Sequence, residues 1–548
     1  MTITTAKLPA RVHARAGRAA PRLRLLSQSL PLLPGLLALP AHRMACLLSA
    51  ALMALAAAPA RAEWKFTPTV DLAGTYSDNV GLVEDSRKLG RFIAEVTPGF
   101  TLVNNSRRVK FNASYQLHYY AFDDDGIEDA RHVQQSLLAQ LSSVLIDDLL
   151  YLDGDAAVGQ RAVSTFGPQI NYNGYAGANR SNVRSYRISP YLRHSFGTSA
   201  IGTLRYTRDS VDAGNRGLGN SDGDSLDFNL SSGPTFRRIG WGLQASVRHI
   251  SDSVAPNTEI KTVGANLRYR LGDSFALTAS TGYDEYDYQS VGAPVKGKNW
   301  SGGFDWTPSP RTSLRASVGK RYYGDSYLLE ALHRSRRSVW TINYNDAVTT
   351  SRDQFLLPAT VDTASVLDRL FTADIPDPVA RRAAVEAYIR ASGLPSALAE
   401  SVNYFTNRYV LQKQLQLSAA FNMARTTLVV SAFNVKRNAL SNFETDGALS
   451  GPGRGSLNDD TTQTGASALL NWRLTSRSSA NLSLTRSRSE SNSTNLETRN
   501  TAARLALTRS FSPRMSGTAE LRRTSGNTAF GAAGYRENAI TASLSLKL

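Results

Sequence analysis

The sequence predicts an all-β protein, a large transmembrane antiparallel β-barrel of about 22 strands (roughly 18 to 24) carrying a small helical insert. Three observations predict it: apolar and polar residues alternate with period two along most of the chain, the alternating segments run about 9 to 13 residues, and the connections between them are alternately short and long. In "VKFNASYQLHY" (Val109 to Tyr119) every odd position is apolar and every even one polar. The split recurs in "VGANLRYRL", in "FALTASTGY" (Phe275 to Tyr283), and in "WSGGFDW", where Trp300, Phe304 and Trp306 share a face. A secreted β-sandwich or propeller also alternates, but usually with shorter strands packed against a second sheet. Segments of this length suit a tilted barrel wall.

The chain opens with a leader. Residues 1–62 hold no acidic residue and eight Lys or Arg, and they end in "MACLLSAALMALAAAPARA", an apolar run closed by the small-x-small tripeptide Ala60-Arg61-Ala62. This reads as a signal peptide cut after Ala62, its apolar run too short to span a bilayer. Translation from Met1 or from Met44 gives the same mature chain. The one cysteine, Cys46, falls inside the leader, so the exported chain 63–548 carries no thiol. The formal charge of +17 drops once the leader is removed: 54 basic residues face 45 acidic ones, a balance of +9, with no basic block longer than a pair. Scattered single charges argue against a nucleic-acid partner and suit a wet lumen or a rim that meets anionic lipid and lipopolysaccharide.

"GTYSDNVGL" (Gly74 to Leu82) sits where the first strand leaves the membrane. Tyr76 is placed for an aromatic girdle, Ser77, Asp78 and Asn79 are Asx-type turn formers, and Gly81 is expected to relieve backbone strain. Contact of Asp78 and Asn79 with a divalent ion or sugar hydroxyls at the barrel mouth is the functional alternative.

The loops then fall into two sets. "NNSRR", "GTS", "LGD", "PSPR", "TSRS" and "FSPR" are short, whereas "FDDDGIEDA", "DAGNRGLGNSDGDS", "DYQSVGAPVKGKN" and the stretch from Asn438 to Asp460 are long, as periplasmic turns and external loops are. Two periplasmic termini require an even number of strands. Parity holds if Gly324-Asp325 is a tight turn, Ser326 to Arg334 a short strand, and Ser335-Arg336-Arg337 a turn into Val339 to Tyr344. The final strand, "ITASLSLKL", alternates Ile540, Ala542, Leu544, Leu546 and Leu548 toward lipid with Thr541, Ser543, Ser545 and Lys547 inward.

Residues 351–406 lose the period of two. In "DPVARRAAVEAYIRASGL", Asp377 can cap a helix, Pro378 fits its first turn, Val385, Tyr388 and Ile389 form one apolar face, and Gly393 ends it. This insert is expected either as a lid packed on the rim or, folded back, as a plug.

Candidate chemistry is thin. The five histidines outside the leader, His118, His132, His194, His249 and His333, form no pair at metal-ligand spacing, and the acidic run Asp123-Asp124-Asp125 with Glu128 and Asp129 fails the calcium-loop pattern because Ala121 occupies its first ligand position. No enzyme activity, metal or cofactor is expected. Inward-facing Lys110, Arg268, Arg270, Arg315, Arg321 and Arg504 would make the lumen basic in patches and favour anionic solutes, unless carboxylates such as Glu520 neutralise them.

Several stretches in order, "WKFTPTVDLAGTYSDNVGL", "EVTPGF", "HRSRRSVWTINYNDAVTT", "DPVARRAAVEAYIRASGL" and "YVLQKQLQLSAAF", resemble the outer-membrane protein family associated with the PEP-CTERM/exosortase sorting system of Gram-negative bacteria. The resemblance spans about Trp64 to the C-terminus. It implies an integral outer-membrane location and a setting in exopolysaccharide export or surface sorting, with that machinery or polymer as partner, and it transfers no catalytic residue. Two functions follow as expectations, a pore or export component or a plugged barrel that anchors surface proteins or matrix, with an outer-membrane enzyme a distant third.

Overall fold

The computed structural model describes residues 64–127, 130–169, 175, 179–214, 219–288, 295–356, 385, 405–441, 460–527 and 534–548. The leader, residues 1–62, lies outside them. Twenty-two strands follow one another: β1 (Trp64–Ser77), β2 (Arg91–Asn105), β3 (Val109–Ala121), β4 (Val133–Ile146), β5 (Leu150–Ala162), β6 (Arg180–Phe196), β7 (Ala200–Asp212) and β8 (Ser221–Ser232). Next come β9 (Ile239–Asp252), β10 (Thr258–Arg270), β11 (Phe275–Tyr286), β12 (Lys296–Ser309), β13 (Thr312–Arg321), β14 (Gly324–Arg334) and β15 (Ser338–Thr349). A short helix, α1 (Ser351–Leu356), precedes β16 (Val410–Asn422), β17 (Thr426–Ala439), β18 (Asp460–Arg473), β19 (Ser478–Ser491), β20 (Glu497–Ser512), β21 (Met515–Asn527) and β22 (Gly534–Lys547).

Each strand pairs antiparallel with its neighbours in sequence, and β1 pairs with β22, so the sheet closes without an edge. Closure leaves no open sheet edge across the wall, which a bilayer demands. The outward face is apolar: Leu482, Leu505, Leu521, Ile540 and Tyr76 form one lateral row across five strands, all exposed. The inward positions are polar, small at Ser483, Thr508, Thr524 and Thr75 and charged at Arg504, Glu520 and Arg522. This is the architecture of an outer-membrane barrel. Among the described residues no helix is long and apolar enough to cross a membrane.

The start of β1, the end of β22 and the turns joining even strands to the next odd one gather at one rim; the long connections, together with the two-residue β13–β14 turn, lie at the other. One turn differs from expectation. The β13–β14 hairpin turns at Tyr322-Tyr323, while Gly324 and Asp325 already pair with Arg321 and Lys320. Gly324 has a φ of 119°, a value open to glycine, so it absorbs the reversal immediately after the turn rather than within it. Tyr322 then packs on Tyr286, with ring centroids 5.1 Å apart, and Tyr323 sits edge-on to Tyr322 at 5.2 Å.

Candidate functional site

At the long-loop rim, described residues of the β15–β16 and β5–β6 connections reach across the lumen. The first begins where β15 ends. Thr350 accepts a hydrogen bond from the Asp353 N–H (3.1 Å), and the Asp353 carboxylate accepts from the Thr350 hydroxyl (2.8 Å) and N–H (3.3 Å), a reciprocal capping box that starts α1 at once. The helix then reaches the inner faces of β6 to β9, across the lumen from its own strand. Parity makes these faces inward: Tyr186 and Ile188, Leu204 and Tyr206, and Leu243 and Val247 are the exposed outward residues of β6, β7 and β9.

Ion pairs hold α1 there. Arg352 pairs with the Asp209 carboxylate of β7 and donates from Nε to Ser221 Oγ of β8 at 2.7 Å. Arg248 of β9 lies 2.7 Å from Asp353 and 3.7 Å from Asp209, closing a four-member chain of alternating charge. Burial by itself would raise the Asp353 carboxyl, but Arg248 beside it, with the Thr350 hydroxyl, holds it below the ordinary carboxylate range. The last helical carbonyls are also met: Ser185 donates to Phe355 O at 3.2 Å and Arg187 to Leu356 O. On the opposite side, Gln354 donates to Gln412 of β16, 3.1 Å away.

The chain returns through residues 405–409. Phe405 stacks edge-on with Phe355 (5.3 Å) and joins Val183, Val211 and Ala213 in an apolar cluster, while its N–H donates to Val163 O at 3.0 Å. Tyr409 stacks on Tyr288 at 4.6 Å. Beneath this bridge lies a cavity of about 1060 Å³ whose wall mixes Lys110, Arg187 and Arg205 with Asp153, Asp155 and Asp227.

The second entering connection, between β5 and β6, crosses to the other wall. Thr498 of β20 donates to Thr165 O at 3.2 Å, and Arg522 of β21 donates to the Tyr175 hydroxyl at 3.3 Å. Tyr175 packs with Tyr120, Ile93, Val80 and Tyr535.

No protein-family model matches the sequence, and no curated protein matches it. By structure, the chain is similar to the siderophore receptor PirA from Pseudomonas aeruginosa, at 10% identity and a TM-score of 0.43, covering 88% of this chain and 80% of that one. It is similar as well to the FrpB iron transporter from Neisseria meningitidis, at 10% identity and a TM-score of 0.46, covering 88% of this chain and 82% of that one. The PirA of Acinetobacter baumannii gives 9% identity, a TM-score of 0.44 and coverages of 88% and 80%.

The six basic residues expected in the lumen all sit at inward parity. Four have carboxylate neighbours: Arg268 and Arg315 share Asp305 (3.4 and 2.9 Å), Arg321 lies 3.9 Å from Asp284, and Arg504 lies 2.6 Å from Glu520. Lys110 lines the cavity, and Arg270 is exposed at the short-turn end of β10. The opening motif is engaged at the seam between the first and last strands. Tyr76 faces outward, Ser77 donates to the buried Glu537 at 2.8 Å, and Asp78 accepts from Asn538 N and Nδ2 at 2.6 and 2.8 Å. Asn79 donates to Val83 O and Arg536 O, at 2.7 and 2.9 Å. The left-handed backbone falls on Leu82 (φ 51°) rather than on Gly81, and burial of the Leu82 side chain beside Val80 offsets that strain. Of the expected insert helix only Val385 is described, helical and buried; Asp377, Pro378, Tyr388 and Ile389 lie outside the described residues. Asp123, Asp124 and Asp125 are exposed, with Asp123 3.2 Å from Arg91 and Asp124 3.1 Å from His132. Sequence reasoning missed α1, although Thr350-Ser351-Arg352-Asp353 carries the capping-box pattern.

Proposed function

We propose that the chain is a gated conduit of the Gram-negative outer membrane, serving an exopolysaccharide-export or exosortase-type surface pathway, and that α1 and the 405–409 segment close its outer mouth. One observation carries this reading: α1 is held inside the barrel mainly by ion pairs and hydrogen bonds to a polar wall, with a polar cavity left behind it. Polar latches can exchange partners with water when the segment moves, whereas an apolar plug would be committed to its seat. The mixed charges of the cavity wall suit a polyhydroxylated chain of low net charge better than a strongly anionic one. The surface pathway rests on the resemblance of the sequence stretches quoted above.

A second reading is a non-conducting anchor for surface proteins or matrix, and the β5–β6 connection supports it by spanning to β20 and β21. Planar-bilayer conductance of the mature protein, with and without deletion of residues 351–406, separates the two. The conduit reading expects rare openings in the intact chain and steady conductance after deletion. Silence in both, with folding confirmed by heat-dependent gel mobility, refutes it in favour of the anchor.

A further inference from the structure

The outer wall of β19 to β22 carries a feature that the lumen does not explain. Two residues above the apolar row Leu482, Leu505, Leu521 and Ile540, the lateral neighbours are Leu484, Ala503, Arg523 and Asn538. Two residues above these they are Arg486, Thr501, Ser525 and Arg536. Above that, Arg488 pairs with Arg499. Small side chains therefore stand between large cationic ones in adjoining rows about 7 Å apart. The result is two stacked depressions on the lipid-facing surface. The lower, of about 560 Å³, is lined by Leu482, Leu505, Leu521, Ile540 and Tyr76 and capped by Arg523, with Asp78, whose carboxylate accepts from Asn538, also in its wall. The upper, of about 600 Å³, lies among Arg486, Arg499, Arg536, Thr501 and Ser525 together with two carboxylates, Glu84, paired with Arg87, and Asp85, paired with Lys88 and Arg536.

Several of these cations are already balanced: Arg536 lies 2.7 Å from Asp85, Arg488 3.0 Å from Glu497, and Arg499 also pairs with Glu497. Arg486 and Arg523 are exposed and have no carboxylate partner among the described residues. Two unpaired guanidiniums, set at the long-loop end directly over an aliphatic trough, are complementary to a molecule with phosphate above and acyl chains below.

We propose that this face is a specific binding site for a phosphorylated glycolipid of the outer leaflet, of the lipopolysaccharide type. Arg486 and Arg523 contact its phosphates, and its acyl chains lie along Leu482, Leu505, Leu521 and Ile540. Ala503 leaves the passage between headgroup and chain open. The site depends on the barrel's orientation in the membrane and is independent of whether the lumen conducts.

The test uses the folded mature protein in detergent, titrated with bis-phosphorylated lipid A and read by native mass spectrometry. Wild type retains one lipid preferentially. Arg486→Gln/Arg523→Gln binds about tenfold more weakly, as expected for lost charge-assisted hydrogen bonds. Ala503→Trp also weakens binding, because it fills the passage while leaving both arginines. Lys298→Gln/Lys320→Gln, which removes two exposed outward cations from β12 and β13, leaves binding unchanged. Equal weakening by the lysine pair would reduce the effect to diffuse charge and overturn the proposal. So would wild-type affinity in both the arginine-pair and Ala503→Trp proteins, or full displacement of the lipid by an equal concentration of inorganic phosphate, which would make the site one for free anions. If the arginine pair prevents folding, Ala503→Trp and the phosphate competition still decide.

Discussion

Replacing Arg352 by Gln should unlatch the mouth without unfolding the wall. The Arg352 and Asp209 side chains are 8% and 5% exposed, so the substitution leaves Asp209 buried with its nearest remaining cation, Arg248, 3.7 Å away and already committed to Asp353. Removing one partner of a buried pair costs about 3 to 5 kcal/mol, and Arg248 keeps this case near the low end, at about 3. All of that cost falls on the seated state, because an open mouth exposes Asp209 to water. At about 1.4 kcal/mol per tenfold, the open-to-closed ratio rises by roughly two orders of magnitude. Single-channel recording measures it directly as open probability. The double change Arg352→Gln/Asp209→Asn should recover much of the closed state, since it removes the orphaned charge together with its partner. An open probability for Arg352→Gln within about threefold of wild type, in a barrel that still shows heat-dependent mobility, refutes the latch.

Three further outcomes follow from other parts of the structure. Because the Asp353 carboxyl is depressed when seated, its contribution to the latch is complete above the ordinary value of about 3.9 and is lost as the pH falls through the lowered one; openings should be independent of pH from 8 to about 5 and increase only below about 4. Glu537→Ala strands the buried Arg522, whose next carboxylate, Glu520, is 3.6 Å away, and should lower unfolding stability in urea by about 3 kcal/mol. Leu521→Arg, on the lipid face, should cost about 2 kcal/mol in vesicles by the same assay, while Thr508→Ser on the inner face should cost little.

The barrel was legible in the sequence because its determinant is local: alternate residues meet lipid or water, and each strand declares its own faces. The even strand count followed from the same logic applied to loop lengths. The β13–β14 turn was misplaced by two residues because Tyr322-Tyr323 has no turn chemistry of its own, and the positive φ of Gly324 is visible only in three dimensions. Glu520 could be named as a partner for an inward arginine because both lie on strands whose faces the alternation assigns. The latch could not be read this way. Arg352 and Asp209 are 143 residues apart, and nothing in either segment says that a connection beginning at Thr350 will cross the lumen to β7. The same holds for Ser77 and Glu537, whose contact is a property of closure and not of either strand alone.

That seam also constrains the order of assembly. The residues that lock β1 to β22, Ser77, Asp78 and Asn79 on one side and Glu537 and Asn538 on the other, are separated by about 460 positions, so the lock cannot form until the final strand has been delivered. Until then the sheet has two raw edges, and Glu537 and Arg522 have no sealed interior to occupy. An incomplete chain lacking β22 would present those edges to any neighbouring strand, and joining chains edge to edge is the expected fate of such a species. The first and last strands thus act as a checkpoint on assembly: only a chain that carries both can become a closed wall.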